Sequence, residues 1–315
     1  MKVIGLRTHI WKNNSRSLFM LVSFPFIIGL ISYLIMLSIN LGSDQNISTS
    51  LQTSLGMLIL FSPAILGGVC VWFTIAWIFH KQMILAMTDS KPLERKEDQV
   101  LYDIVQKLCI SRGLPMPKIY IIEDDSMNAF ASGLSPKNAI MSFSRGILNN
   151  LTKQEIEAVA AHELTHIINR DIRVLVISII FVGIIQTLSE VFLRTHIKSD
   201  SENNNSFLII IAIKIVVFII GYLISMMIQL AISRRREYMA DAGSVELTKS
   251  SEHLISALEK ISQDSRIEAI GNKSVAQMCI ENPLEKGETK PSMWERLFST
   301  HPPISDRIDV LRQIG

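Results

Sequence analysis

The stretch AAHELTHIINR, residues 160–170, carries two histidines four positions apart, with a glutamate directly after the first. On a helix, positions i and i+4 lie on one face about one turn apart, so His162 and His166 can point imidazole nitrogens at the same ion. Two imidazoles and one carboxylate are typical ligands of zinc, and they leave one position open for water. Glu163 is rotated by about 100° from His162, so it can reach that water. The stretch therefore predicts a zinc site in which Glu163 is a general base.

The helix that carries these residues has a clear predicted start, and a small sheet is expected before it. Thr152, with Glu155 three residues later, forms the T-K-Q-E capping box that marks a helix N-terminus. The runs KIYIIE (118–123), NAFASG (128–133) and AIMSF (139–143) predict extended segments. We expect these segments to form an antiparallel sheet, and we expect the central helix to continue toward the next apolar run.

Apolar residues make up 48% of the 315 residues, and they are concentrated in four long runs. Each run has about 20 residues or more, enough to cross a hydrocarbon core of roughly 30 Å. A buried core helix is the alternative for each. The net charge of +2 gives no reason to expect a nucleic-acid partner, and the three cysteines form no disulfide framework. The predicted spans are residues 17–37, 55–79, 174–192 and 207–232.

Basic residues predict how these spans are oriented. Lysines and arginines precede the first run, follow the second, precede the third and close the fourth, whereas the loop at 41–54 has none. The positive-inside rule then places both termini in the cytoplasm, with the lipid bilayer as a partner. Because the HELTH helix leads into a predicted span, we expect its site to lie close to the membrane surface. The expected domains are an N-terminal membrane hairpin at 1–80, a cytoplasmic part at 81–173, a second hairpin at 174–232 and a cytoplasmic part at 233–315.

A catalytic zinc site needs a third protein ligand, and spacing alone does not select one. Glu237 is the best candidate because it follows the second predicted hairpin, which returns the chain to the side where that hairpin began. Asp241 lies four residues later on the same predicted helix face, where it could accept the outer N–H of a ligating histidine. The alternative for Glu237 is a salt bridge with Arg234 or a neighbouring arginine.

Three motifs together carry a family resemblance. HELTH, then SRRREYMAD after a membrane hairpin, then THPP near the C-terminal end, resemble the HtpX-type membrane-bound zinc metalloproteases, a family shared with the CAAX prenyl proteases. GLPMPKIYI and NAFASG also match the usual pattern, so the resemblance covers nearly the whole chain. It implies an α+β, mostly helical fold: a four-span integral membrane protein with a cytoplasmic gluzincin-like metalloprotease domain and one Zn²⁺ per chain.

The resemblance also implies roles for particular residues. Asn128, in NAFASG, corresponds to the edge strand that holds an extended substrate, and a turn residue is the alternative. His301, in THPP, corresponds to a histidine that can stabilise the tetrahedral oxyanion, and a turn-capping histidine is the alternative. The implied zinc ligands are His162, His166 and Glu237, the implied base is Glu163, and Asp241 is the acid that orients a ligand histidine.

The expected function is that of a zinc-dependent endopeptidase in the plasma (bacterial inner) membrane. Its substrates would be misfolded or damaged membrane proteins and unfolded chains on the cytoplasmic side. This role in quality control and stress response rests on the resemblance alone. One alternative is CAAX-type C-terminal processing. The other is a non-catalytic membrane adaptor whose structural zinc is closed by a fourth ligand, for which His301 is a candidate.

Overall fold

The computed structural model describes residues 6–42, 46–194, 204–230, 234–264, 267, 276, 278–281 and 302–314, and these residues are mostly helical. Their helices are α1 Leu6–Gly42, α2 Ile47–Met87, α3 Gln99–Arg112, α4 Arg145–Asn150, α5 Lys153–Asn169, α6 Asp171–Arg194, α7 Asn204–Leu230, α8 Arg235–Thr248, α9 Glu252–Ile261 and α10 Ile304–Ile314. Their strands are β1 Ser90–Pro92, β2 Lys118–Ile122, β3 Ala129–Ser132 and β4 Ile140–Ser144.

Within the described residues, four helices are long and apolar enough to cross a membrane by length and composition. They are α1, α2, α6 and α7, and they contain the described residues of the four predicted runs. α2 leaves large apolar side chains such as Ile59 and Leu60 exposed, which is typical of a surface that faces lipid tails. The expectation of four membrane helices is therefore confirmed at the level of length and composition.

The chain divides into two compact units. The membrane unit comprises Ser17–Ile78 and Ile177–Gln229. Inside it, the rings of Phe24 and Phe181 stack with centroids 4.2 Å apart, and Phe73 meets both edge-on. This aromatic contact joins α1, α2 and α6. The other unit comprises the described residues within Met1–Arg16, Phe79–Val176 and Leu230–Gly315, and it contains the sheet and the HELTH helix.

The sheet has the strand order β1-β2-β4-β3 and is mixed. β1 with β2 and β3 with β4 are antiparallel, but β2 and β4 are parallel neighbours, so the expectation of a purely antiparallel sheet is wrong. The reason is that β3 folds back on the outer side of β4 instead of entering between β2 and β4. Gly133 (φ 137°) permits this turn, because a Cβ there would lie 2.8 Å from the Asn138 carbonyl oxygen. β3 therefore lies at the edge of the sheet.

The central helix α5 is almost completely buried and contacts α3, α8, α9 and β3. Its predicted capping box is present, with Thr152 Oγ1 accepting from the Glu155 N–H and Glu155 Oε2 accepting from the Thr152 N–H. The helix does not continue into the third span. It ends at Asn169, because Arg170 adopts a left-handed conformation (φ 59°, ψ 25°), and α6 begins at Asp171. This turn changes which residues can face the HELTH motif.

Candidate metal centre

The two HELTH histidines and Glu237 form a buried cluster that could hold a metal ion. His162 Nε2 and His166 Nε2 lie 3.2 Å apart, and Glu237 Oε2 lies 3.6 Å from the first and 3.7 Å from the second. The nearest point equidistant from these three atoms is about 2.0 Å from each, which is the length of a zinc–nitrogen or zinc–oxygen bond. The donor set and its spacing therefore fit zinc.

Close packing of α8 on α5 positions Glu237. At Gly243 a Cβ would lie 2.4 Å from Thr165 Cγ2, so only glycine permits the two helices to approach this closely. At the next residue, the Ser244 hydroxyl donates to the Ala158 carbonyl oxygen at 2.7 Å. The first turn of α8 then presents Glu237 beside the two histidines.

Each histidine has a carboxylate on its outer nitrogen. Asp241 Oδ1 lies 3.0 Å from His162 Nδ1, and Asp171 Oδ2 lies 3.0 Å from His166 Nδ1. A carboxylate there holds the ring proton on Nδ1 and leaves the Nε2 lone pair free for a metal. Asp241 lies where the sequence placed it. Asp171 was missed, because on a continuous helix a residue five positions after His166 would be turned away; the break at Arg170 brings it back.

Arg307 is a further buried member of the site that sequence reasoning missed. Its Nη2 and Nε donate to the two oxygens of Asp241 at 2.6 and 2.9 Å, and its Nη1 donates to the Ile280 carbonyl oxygen at 2.9 Å. Burial raises the pKa of Asp241, but the charge of Arg307 and the hydrogen bond from His162 hold that pKa below its usual value. The local sequence offered one weak sign of this role: Arg307 lies on the same helix face as the buried apolar residues of α10.

Arg236 contacts the other oxygen of the third candidate ligand. Its Nε donates to Glu237 Oε1 at 3.0 Å, and both side chains are buried. The alternative proposed for Glu237, a salt bridge to a neighbouring arginine, thus coexists with the histidine contacts. One carboxylate oxygen faces the arginine, and the other faces His162 and His166.

The electrostatics of the pocket favour a bound positive charge. Burial lowers the pKa of the His166 imidazole, but the charge of Glu237 and the hydrogen bond to Asp171 outweigh burial and raise the pKa to about 10. The pocket thus stabilises a proton on a group that is ordinarily neutral. A divalent cation would supply the same positive charge in place of the proton.

Glu163 lies beside this cluster with 1% of its surface exposed. Burial raises its pKa, and the charge of Glu237 raises it further against the opposing effect of the two histidines. The Ala131 backbone lowers that pKa slightly, yet neither carboxylate oxygen has a well-formed hydrogen bond to any described residue. A buried carboxyl group with spare hydrogen-bonding capacity and a raised pKa is suited to accept a proton from water.

Asn128 is buried just before the edge strand, and its amide contacts this chain's own backbone. Its Nδ2 donates to the Glu281 carbonyl oxygen at 2.8 Å. Alongside, the Ile280 N–H donates to the Ala129 carbonyl oxygen at 2.9 Å, and Cys279 forms a β-bridge with Phe130. Residues 279–281, hereafter the resident segment, thus pair with the outer edge of β3. The predicted role of His301 falls outside the described residues.

Two buried histidines and a glutamate that could hold a metal ion, with a second buried glutamate beside them, are the groups that a metallopeptidase needs. The chain belongs to peptidase family M48, whose profile matches residues 95–315. It is 42% identical to a Bacteroides fragilis protein described as "Protease HtpX homolog", over 99% of this chain and 100% of that one. A Listeria monocytogenes protein with the same description is 37% identical, over 81% of this chain and 86% of the relative.

These relatives confirm the resemblance to the HtpX type, and the chain is an integral membrane metallopeptidase of this family. Among solved structures it is similar to Ste24p of S. mikatae, with 18% sequence identity and a TM-score of 0.48. That match covers 96% of this chain and 66% of the other.

Proposed function

We propose that this membrane metallopeptidase is a zinc-dependent endopeptidase that cleaves misfolded or damaged membrane proteins, and unfolded chains, on the cytoplasmic side of the plasma membrane. The observation that carries the proposal is the arrangement of His162, His166 and Glu237, whose donor atoms face one another at the spacing that zinc requires. A zinc ion held by these three residues would keep one position for water, as in catalytic zinc sites. The choice of substrates rests on the resemblance to the HtpX type.

Glu163 is the group that moves protons in this proposal. Zinc, when bound, lowers the pKa of water and polarises the scissile carbonyl group. Glu163 takes a proton from the attacking water and delivers it to the nitrogen of the leaving amine. Its burial removes competing water, and the unsatisfied oxygens leave room for the proton that it carries between the two steps.

The neighbouring charged residues fix the ligands before substrate arrives. Asp241 and Asp171 hold the Nδ1 protons of the two histidines, so both Nε2 lone pairs point inward. Arg236 holds one oxygen of Glu237 and leaves the other to the metal. This preorganisation would keep the three ligand side chains in place while the reaction proceeds.

The edge of β3 is the proposed place for the substrate backbone. That edge pairs with the resident segment; if the segment left, the edge would offer N–H and C=O groups to an extended peptide, and such recognition is largely independent of side-chain sequence. That suits an enzyme whose substrates share an unfolded state and not a sequence. The amide of Asn128, which contacts the backbone of the resident segment, would make the same contacts with a substrate backbone. No feature of the described residues favours C-terminal CAAX processing.

The test is casein cleavage by the purified protein in detergent, stripped with a chelator and then given zinc. Wild type is compared with Glu163→Gln, and bound zinc is measured in both. We expect about one zinc per chain in each, with cleavage by wild type only, because Gln keeps the shape of the site but cannot accept the proton. Zinc in both proteins without cleavage by either would contradict the proposal and would point to a closed zinc site.

A further inference from the structure

The N-terminal helix reaches the metal centre through one buried side chain. Asn13 lies near the start of α1, before the apolar run predicted at 17–37, and only 3% of its surface is exposed. Its Nδ2 donates to Asp171 Oδ1 at 2.7 Å and to the Asn169 carbonyl oxygen at 3.1 Å. These contacts join residues more than 150 positions apart within the same compact unit.

The two contacts of Asn13 lie on either side of the turn between α5 and α6. Asn169 is the last residue of α5, so its carbonyl oxygen has no partner further along that helix. Arg170 then takes the left-handed backbone conformation, which is energetically unfavourable for any residue that has a Cβ atom. Asp171 opens α6. By binding both sides, the Asn13 amide holds the turn that brings Asp171 back toward the HELTH motif.

Asp171 passes this constraint to His166. One of its oxygens accepts from Asn13, and the other lies 3.0 Å from His166 Nδ1. Because Asn13 holds one oxygen, the Asp171 carboxylate cannot rotate freely. Its other oxygen therefore stays beside His166 Nδ1 and holds the imidazole ring in one orientation. Loss of the amide would leave a buried carboxylate oxygen with one bond fewer and would let the carboxylate turn.

We propose that Asn13 is a positioning residue for the metal centre: it holds the Asp171 carboxylate in the orientation that fixes His166 as a ligand. The first turns of α1 are then part of the metal centre, although they lie far from HELTH in sequence. The proposal rests on the zinc site proposed above. Partners of ligand histidines typically change metal affinity by about 10- to 100-fold when removed.

The experiment measures how fast zinc leaves the full-length protein. Zinc-loaded protein in detergent is mixed with excess chelator, and released zinc is followed with time. Asn13→Ala should release zinc about 10-fold faster than wild type. The matched control is Asn14→Ala, because Asn14 is the next residue on the same helix and its side chain makes an exposed 3.5 Å contact with Arg170. Asn14→Ala should release zinc at the wild-type rate.

A double-variant comparison separates positioning from general stabilisation. If Asn13 acts through Asp171, the variant Asn13→Ala/Asp171→Asn should release zinc at the same rate as Asp171→Asn alone. A purely structural role would instead multiply the two effects. Should Asn13→Ala fail to fold, Asn13→Gln displaces the amide by one methylene and serves the same comparison.

The outcomes distinguish this proposal from the zinc site on which it rests. Wild-type protein that binds no zinc overturns both. Wild-type protein that retains zinc, together with Asn13→Ala that retains it equally long, overturns the role of Asn13 alone. Independent, multiplicative effects of the two substitutions also overturn it.

Discussion

Arg307 and Asp241 form a buried two-point ion pair directly behind the ligand candidate His162. The guanidinium donates to both carboxylate oxygens, at 2.6 and 2.9 Å, and both side chains are almost completely excluded from solvent. Because Asp241 also lies 3.0 Å from His162 Nδ1, its carboxylate connects the C-terminal helix α10 to the metal centre.

Replacing Arg307 should therefore affect both stability and metal binding. Arg307→Met leaves the Asp241 charge buried without its partner, so we expect a loss of about 3–5 kcal/mol in the free energy of unfolding, with faster zinc loss. Arg307→Lys should also be impaired, because an ammonium group cannot bridge both oxygens in the same plane. Denaturant titration and chelator competition measure the two effects.

The control for this substitution lies on the same helix. Arg312 is exposed and contacts Glu259 at the surface, so Arg312→Met should change stability by less than about 0.5 kcal/mol. Adding Asp241→Asn to Arg307→Met should recover part of the lost stability, because it removes the unpaired charge. A further loss on adding Asp241→Asn would contradict this account of the pair.

Gly243 should tolerate no side chain while Thr165 faces it. In Gly243→Ala the new methyl group would lie 2.4 Å from Thr165 Cγ2, so α8 must move away from α5 and carry Glu237 with it. We expect a loss of about 1–3 kcal/mol in stability together with weaker zinc binding. Thr165→Ala in the same chain should restore most of both, measured by thermal unfolding and zinc content. Gly183→Ala, whose new methyl group would meet nothing within 4 Å, is the control and should behave as wild type.

The resident segment should compete with substrate if substrate pairs with β3. Ile280→Pro removes the N–H that donates to the Ala129 carbonyl oxygen, so the segment should leave the strand edge more readily. We expect kcat/KM for an unfolded protein to rise several-fold above that of Ile280→Ala, which loses the side chain but keeps the N–H. A kcat/KM for Ile280→Pro equal to or below that of Ile280→Ala, at equal zinc content, would show that the resident segment does not compete with substrate and is instead part of the active-site structure.

Glu155 should make stability depend on acid pH. Burial raises the pKa of its carboxyl group, but hydrogen bonds from Lys260, Ser256 and Thr152 outweigh burial and lower the pKa to about 2, from an ordinary value near 4.5. The folded state therefore binds this proton less readily than the unfolded state. The contribution, on the order of 2 kcal/mol because Lys260 is partly exposed, is complete above about pH 4.5 and is lost as pH falls toward 2.

The measurement is the free energy of unfolding of wild type and Glu155→Gln between pH 2 and 7. The difference between the two should be constant above about pH 4.5 and should shrink below it. Glu157→Gln is the control, since Glu157 pairs with the largely exposed Lys107. A pH-independent difference for Glu155→Gln would rule out the proposed cause.

The sequence by itself determined the features that are encoded within a few residues. The spacing of His162, Glu163 and His166 and the capping box before them follow from the period of one helix, and the four apolar runs follow from length and composition. Each depends on contacts within one or two helical turns, so no knowledge of the rest of the chain is needed.

Only the tertiary structure decided which distant residues complete the centre. Asp171 became a partner of His166 because a left-handed Arg170 breaks the helix, and nothing in HELTHIINRD marks that break. Packing of α1 and α10 brings Asn13 and Arg307 to the metal centre. The local sequences of these helices indicate at most which of their positions are buried, not what those positions contact. The order of β3 and β4 likewise depended on which side of the sheet the hairpin folds back. The physical reason is that long-range contacts are selected by how whole elements pack and by the satisfaction of buried polar groups, which short segments do not specify.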